Sequence, residues 1–178
     1  MCAAEMNNNA DNFFGDRHLM LLFDAIRDGD LVKTRHYLTM MTPQAVKKLD
    51  PDTGKSALHL AAMAGSMDVI KELIEFLHDD NFLEVQGICD GHTALVDAIY
   101  YGIKDIVEYM VGRNKGILEI RSNGGLLPVA LAFVWGYKEI GQFLYEETPH
   151  EALSSEEGKI SGATVLTTTI RSLGEFGK

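Results

Sequence analysis

Three stretches, GKSALHLAAMAG (54–65), GHTALVDAIYYG (91–102) and GLLPVALAFVWG (125–136), fall into register when their closing glycines are superposed. Those glycines, Gly65, Gly102 and Gly136, stand 37 and 34 residues apart. A period of that length marks stacked supersecondary units rather than one mixed core. Each position in the block has a physical reason. The opening Gly54, Gly91 and Gly125 suit a tight turn that needs positive φ. Ser56 and Thr93 are placed to accept a backbone N–H at a helix N-cap. Pro128 takes the first helical position, where its missing N–H costs nothing. Apolar residues then recur at helical spacing until the closing glycine stops a short helix.

A second amphipathic stretch follows each closing glycine: MDVIKELIEFL (67–77), IKDIVEYMV (103–111) and YKEIGQFLY (137–145). In the first, Val69, Ile70, Leu73, Ile74 and Leu77 make one apolar helical face. The unit is therefore turn, helix, glycine, helix. Upstream, LFDAIRDGD (22–30) matches the helix and closing Gly29 without an opening glycine, as an atypical N-terminal cap does. Downstream, GATVLTTTIRS (162–172) repeats the opening glycine, a capping Thr164 and the first apolar face, with no second helix behind it.

Ser-Ala-Leu-His-Leu-Ala-Ala at 56–62 closely matches the Thr-Pro-Leu-His-x-Ala signature, and Thr-Ala-Leu at 93–95 matches part of it. The chain resembles the ankyrin-repeat family. That resemblance implies an all-α solenoid of stacked helix-turn-helix units with short hairpin loops. It also implies a structural hydrogen bond for His59. The expected organisation is a disordered N-terminus over 1–16 and repeats over 17–147. Within the repeats, the atypical cap covers about 17–50 and the later units about 51–87, 88–121 and 122–147. An acidic, exposed linker over 148–161 and an incomplete terminal repeat over 162–178 follow. The unfinished last unit gives the expectation of a truncated product.

The phrase LLPVALAFVWGYKEIGQFLYEETP (126–149) and the Gly-Ala-x-x-Leu block after an acidic linker are similar to plant ankyrin proteins with a C-terminal transmembrane PGG domain. This resemblance covers about residues 17–173. It implies a place in stress or defence signalling near membranes for full-length members. The sequence departs from that family in lacking the PGG-type domain and its hydrophobic spans.

Composition narrows the function classes. Sixteen Lys plus Arg against 26 Asp plus Glu give a net charge of −10, which disfavours nucleic acid and favours solubility or a basic partner. Cys2 and Cys89 stand far apart without ligand-spaced neighbours, so neither a disulfide framework nor a zinc site is expected. A reducing compartment and a cytoplasmic location fit, with plasma-membrane association for a longer form. The longest apolar run, Leu126 to Tyr137, contains Pro128 and Gly136 and is too short to span a bilayer.

Catalysis finds no footing in the residues. No two of His18, His36, His59, His78, His92 and His150 are spaced for a shared metal, and Asp24, Asp97, Glu108 and Glu139 fall on separate faces. Neither a nucleophile elbow nor a phosphate loop is present. No enzyme activity, cofactor or metal is expected.

The expected function is a non-catalytic protein–protein interaction module. Two alternatives stand beside it: the cytosolic regulatory part of a membrane-anchored, channel-like protein, and a non-functional remnant. The resemblance to ankyrin repeats places the two residues before each closing glycine beside the partner groove. Those pairs are Arg27 and Asp28, Met63 and Ala64, Tyr100 and Tyr101, and Val134 and Trp135. Tyr, Trp, Met and Arg are the types enriched at interfaces. Padding between neighbouring repeats is the competing role for Tyr101 and Trp135. The hairpin-tip residues Asp52, Thr53, Lys55, Asp90, His92 and Asn123 complete the candidate surface, with His92 expected to be exposed.

Overall fold

A computed structural model describes residues 6–154 and 162–164, with side chains described over 17–153 and 162–164. It bears out the all-α class. Inner helices α1 (Met6–Arg27), α4 (Ala57–Met63), α6 (Ala94–Tyr100) and α8 (Pro128–Val134) alternate with outer helices α2 (Leu31–Leu38), α5 (Met67–Leu77), α7 (Lys104–Arg113) and α9 (Lys138–Glu147). A short α3 (Pro43–Val46) closes the first unit, and α10 (His150–Ser154) follows the last. Single 3-10 turns, Asp80–Glu84 and Lys115–Leu118, lead from α5 and α7 into the next hairpins. Among the described residues, extended pairing is confined to one antiparallel bridge between Gln86 and Thr93.

The core follows from the repeat. The inner helices α4, α6 and α8 are each seven residues long, too short to persist alone, so tertiary burial must hold them. Leu58, Leu95, Ile99 and Val129 are fully enclosed between repeats, and Ile70, Leu73, Ile106, Val107 and Leu144 close the stack from the outer row. Each such side chain contributes roughly 1.5–3 kcal/mol on burial. Contacts run inner helix to inner helix, and from each inner helix to its own outer partner. That is the nearest-neighbour pattern of a quasi-one-dimensional array.

Two glycines show why the repeat punctuation is strict. At Gly91, φ is +65° and a Cβ would stand 2.4 Å from Asn123 Oδ1. At Gly102, φ is +70° and a Cβ would stand 2.5 Å from the Tyr137 ring. Backbone handedness and the next repeat both exclude a side chain there.

The signature at 56–62 works as expected. Ser56 N–H donates to His59 Nδ1 at 3.2 Å, and Ser56 Oγ lies 2.6 Å from the same nitrogen. Because Nδ1 accepts, the ring proton sits on Nε2 and donates to the His92 carbonyl of the next hairpin at 2.8 Å. Burial pushes the imidazole below its ordinary value, against the smaller upward pull of that bond, and keeps it neutral.

The second unit differs. Thr93 stands at the N-cap of α6 but makes no capping bond, and among the described residues its buried Oγ1 has no partner. Val96 occupies the position that His59 fills one repeat earlier, so the reciprocal half of the arrangement is missing.

Two expected segments differ in the structure. Residues 6–16 are helical, because α1 reaches back to Met6 through a segment free of proline. The disorder expected over 1–5 lies outside the described residues. The expected loop over 148–161 contains α10, which starts just after Pro149, where a proline suits a first helical turn. Thr148 Oγ1 donates to the Leu144 carbonyl at 2.6 Å and Ala152 is buried, so this segment packs. Residues 155–161 of that linker lie outside the described residues. Of the terminal unit, residues 162–164 are helical and the rest of 162–178 also lies outside.

The two caps give a contrast to measure. Ser56→Ala removes a satisfied buried hydroxyl and should cost about 1–2 kcal/mol. Thr93→Val removes an orphaned one and should be neutral or stabilising by up to about 1 kcal/mol. Equilibrium urea unfolding of both variants checks this. Equal losses would mean that the Thr93 hydroxyl is satisfied in solution.

Candidate functional site

The hairpin tips are joined to one another before any side chain is considered. Ile88 N–H donates to the Gly54 carbonyl at 3.1 Å, and Asn123 N–H to the Asp90 carbonyl at 3.0 Å. Gln86 Nε2 reaches the carbonyls of both Gly91 and Arg121, at 2.6 and 2.7 Å. Asn123 Nδ2 adds a bond to the Cys89 carbonyl at 3.2 Å. Of the residues singled out in the sequence, Asn123 is therefore a strut between tips.

Beneath the tips sits a charge cluster. Lys55 Nζ lies 3.0 Å from Asp90 Oδ2 and 2.9 Å from Asp97 Oδ2, with only 15% of the lysine side chain and 8% of the Asp97 side chain exposed. Burial works against the lysine charge, but the bonds to Asp97 and Asp90 outweigh it and hold the ammonium above its ordinary value. Asp90 is likewise opposed by burial, yet bonds from His92 N–H and Lys55 hold its carboxyl below the usual range. His92 Nδ1 lies 3.5 Å from Asp90 and 3.7 Å from Asp97.

The expectation of an exposed His92 is corrected: the next repeat folds over it, and it forms one network with Lys55 and Asp90. Asp97 was placed on an isolated face in the sequence, and the turn into α6 instead brings it against Asp90 through Lys55. The ligand-type atoms of Asp90, His92 and Asp97 converge within 4.8 Å. That grouping contains a cation of its own, the Lys55 ammonium, between both carboxylates.

The aromatic residues continue the network outward. The His92 ring meets Trp135 edge-on, centroids 6.0 Å apart. Trp135 stands at 87° to Tyr100 with centroids 5.2 Å apart, and Tyr100 at 86° to Tyr101 at 5.3 Å. Tyr100 and Tyr101 are 54% and 48% exposed, and Val134 beside Trp135 is 48% exposed. Trp135 is half-buried and packs on the core, so it serves the padding role as well as facing the patch. Tyr137 on the outer row sets the position of Tyr100: its hydroxyl donates to the Tyr100 carbonyl at 3.0 Å while its ring lies over Gly102. Tyr137 carried no mark in the sequence beyond its place in a helical face.

The remaining candidates separate from this patch. Arg27 is committed to structure: Nη2 lies 2.6 Å from the buried Asp50 and Nη1 2.8 Å from Asp24. Burial would raise the Asp50 carboxyl, but bonds from Thr53 and Arg27 outweigh it and lower it. Asp52 is exposed in the same turn, Asp28 is exposed just beyond α1, and Met63 is half-buried at the end of α4. Among the described residues, no ring contact or ion pair ties Asp28, Asp52 or Met63 to the aromatic patch. Glu108 and Glu139, also placed on separate faces in the sequence, both lie 3.7 Å from Lys104.

Lys55→Met leaves two carboxylates facing each other without their ammonium. Breaking a fully buried pair costs 3–5 kcal/mol, and because Asp90 is a third exposed to solvent the expected loss at pH 7 is about 2 kcal/mol. The depressed Asp90 contributes stability above the ordinary carboxylate range and loses it as pH falls through its folded value. The gap between Lys55→Met and the parent should therefore begin to narrow below about pH 4, where the unfolded carboxylate takes up its proton, and go on narrowing through the lower folded value. Chemical denaturation at pH 7 and at about pH 2 checks this, and a gap as wide in acid as at pH 7 would show lost packing rather than lost charge.

Comparison with known proteins agrees with this architecture. The profile of the family described as Ankyrin repeats (3 copies) matches residues 22–118. The chain is 32% identical over 99 residues to the rat protein "Ankyrin repeat and SAM domain-containing protein 6", covering 50% of this chain and 11% of that protein. It is 31% identical over 94 residues to the Xenopus laevis "Notch-regulated ankyrin repeat-containing protein", covering 52% of this chain and 78% of that one. The match therefore spans about a tenth of the rat relative and most of the frog one. Among solved structures, a chain of the crystal structure of the yeast ribosomal protein Rps3 in complex with its chaperone Yar1 superposes with a TM-score of 0.67. It is 20% identical, and the superposition covers 72% of this chain and 91% of that chain. Among the described residues no helix is long and apolar enough to cross a membrane. With the repeat period, the Ser56–His59 bonds and a family profile over more than half its length all agreeing, the chain belongs to the ankyrin-repeat family.

Proposed function

We propose that this chain is a non-catalytic protein-interaction module whose docking surface is the aromatic patch of Tyr100, Tyr101, Val134 and Trp135. The observation that carries the proposal is the exposure of Tyr100 and Tyr101 at the end of α6, where the Tyr137 hydroxyl and Gly102 fix the backbone. Large apolar side chains held rigid and half in water gain area on binding at little entropic cost. The charge network below them is saturated with structural bonds, which suits a scaffold better than proton transfer. A protein partner also fits the similar yeast structure, a ribosomal protein in complex with its chaperone.

The similarity of residues 126–149 to plant ankyrin proteins of the PGG type supports a second reading. In it the chain is the cytosolic regulatory part of a membrane-anchored protein in stress or defence signalling. An immunoblot of native cell fractions with an antibody to residues 54–136 separates the two. A soluble band near the 19.7 kDa of this chain supports a free-standing cytoplasmic adaptor, and a larger membrane-partitioned band supports the anchored protein.

For the docking surface, the double variant Tyr100→Ala, Tyr101→Ala should lower partner capture at least tenfold, as loss of interface anchors does. Its melting temperature should move by less than about 3 °C, because both side chains are exposed. Trp135→Ala should lower capture and stability together. Quantitative pull-down with immobilised full chain, alongside thermal melts, reads both quantities. Capture by the double variant equal to the parent's, or lost only in proportion to the melt, sinks the patch as a docking surface.

A further inference from the structure

The same patch carries information about what docks on it, and the inference below rests on the docking reading just given. Three rings set edge to face at the seam between the second and third hairpins adjoin, through His92, an unbalanced charge at the seam between the first and second. Tyr100 is perpendicular to Trp135 and to Tyr101, at centroid separations of 5.2 and 5.3 Å. Rings set edge to face do not offer the continuous flat platform that a stacking ligand needs. They offer π faces turned at right angles, each bearing the negative side of the ring quadrupole, and such a corner attracts a rounded positive group.

The charge beneath has the same sign preference. Asp90 and Asp97 bring two carboxylates to the cluster and Lys55 brings one ammonium, so the ion pairs leave one negative charge uncancelled. His92 carries that environment to the rings: its Nδ1 lies 3.5 and 3.7 Å from the two carboxylates, and its ring touches Trp135. Lys104, on α7, is turned to Glu108 and Glu139, each at 3.7 Å. Across the molecule the net charge of −10 steers in the same direction.

We infer that the partner segment presents a Lys or Arg side chain to the corner between Tyr100 and Trp135, above the Asp90–Asp97 pair. The cation meets the ring faces while its aliphatic stem lies along the exposed apolar surface that Val134 provides. An acidic segment is rejected twice, by the ring faces and by the residual carboxylate charge. The occupant is thus a basic stretch of a protein.

Trp135 is the sole tryptophan of the chain, so its emission reports occupancy of this corner directly. The probes are three octapeptides in which glycine alternates with arginine, with glutamate or with serine, titrated into the full chain at low salt. The expected result is saturable change of Trp135 emission with the arginine peptide alone. Tyr100→Leu should weaken that binding roughly tenfold, Tyr100→Phe should retain it because the π face remains, and Asp90→Asn should weaken it a few-fold.

Non-specific attraction to an acidic protein is separated by the Tyr100→Leu arm: arginine-peptide binding equal in that variant and the parent overturns the inference. Serine or glutamate peptides that bind as tightly as arginine, and lose binding in Tyr100→Leu, overturn the cation while leaving the docking surface standing. No emission change with any of the three peptides also overturns the cation, and the docking surface is then decided by the pull-down of the tyrosine double variant.

Discussion

A single neutral imidazole sets the register of the stack. His59 takes the Ser56 N–H on one ring nitrogen and gives a proton from the other to the His92 carbonyl, 33 residues along the chain. One residue thereby caps a helix and ties that helix to the next hairpin. The geometry requires one tautomer and no added proton, and burial supplies that condition by disfavouring the charged ring. With the His92 carbonyl held, Gly87 N–H also donates to it at 2.8 Å, and the second hairpin closes above the first. Lys55 adds a charged tie across the same seam. Ile88 N–H on Gly54 completes it, and the bridge of Gln86 with Thr93 closes the second hairpin itself.

The seam between the second and third hairpins is built differently. Val96 replaces the histidine and, among the described residues, the Thr93 hydroxyl is left without a partner, so the junction relies on Asn123 and Gln86 reaching backbone carbonyls and on Tyr137 lying over Gly102. In a linear array the stability of each junction counts separately. The first junction has a buried imidazole and a buried ion pair; the second has amide bonds nearer the surface and a ring on a glycine. The aromatic patch straddles this second junction, with Tyr100 before it and Trp135 after it. Rings that pad a junction and also face water are what remains when the polar lock of the first junction is absent.

How much of this was legible follows from what kind of relation each feature is. The repeat, the inner and outer helices and the positive-φ glycines are local, set by periodicity within twelve residues and by the handedness that only glycine tolerates freely. The cap at Ser56 was legible because its partner His59 stands three residues away. Thr93 looked equivalent, but the cap needs a second residue and Val96 cannot supply it. Lys55 with Asp90 and Asp97 lies 35 and 42 residues apart in sequence, and nothing in either segment alone marks the pairing. The same distance hid Tyr137, whose hydroxyl meets a carbonyl 37 residues earlier. Arg27 was chosen for its type and its place before Gly29. What its position could not show is that Asp50, buried and 23 residues on, already claims it.

Placement of the cluster under the patch has an energetic consequence. A carboxylate pair around one ammonium is a fixed arrangement of charge, held by fold contacts and in place before any partner arrives. Charge preorganised in this way costs no reorganisation on binding, so a basic segment loses only its own hydration and freedom. The alternative, flexible surface acids gathered at the moment of contact, would lose side-chain entropy for each group immobilised. Asp90 and Asp97 avoid that cost because Lys55 and the backbone N–H of His92 have already fixed them. Residues that hold two hairpins in register therefore give the neighbouring aromatic corner its charge preference. A substitution that loosens the seam must also blur the field at the site, so stability and recognition are coupled here through the same three side chains.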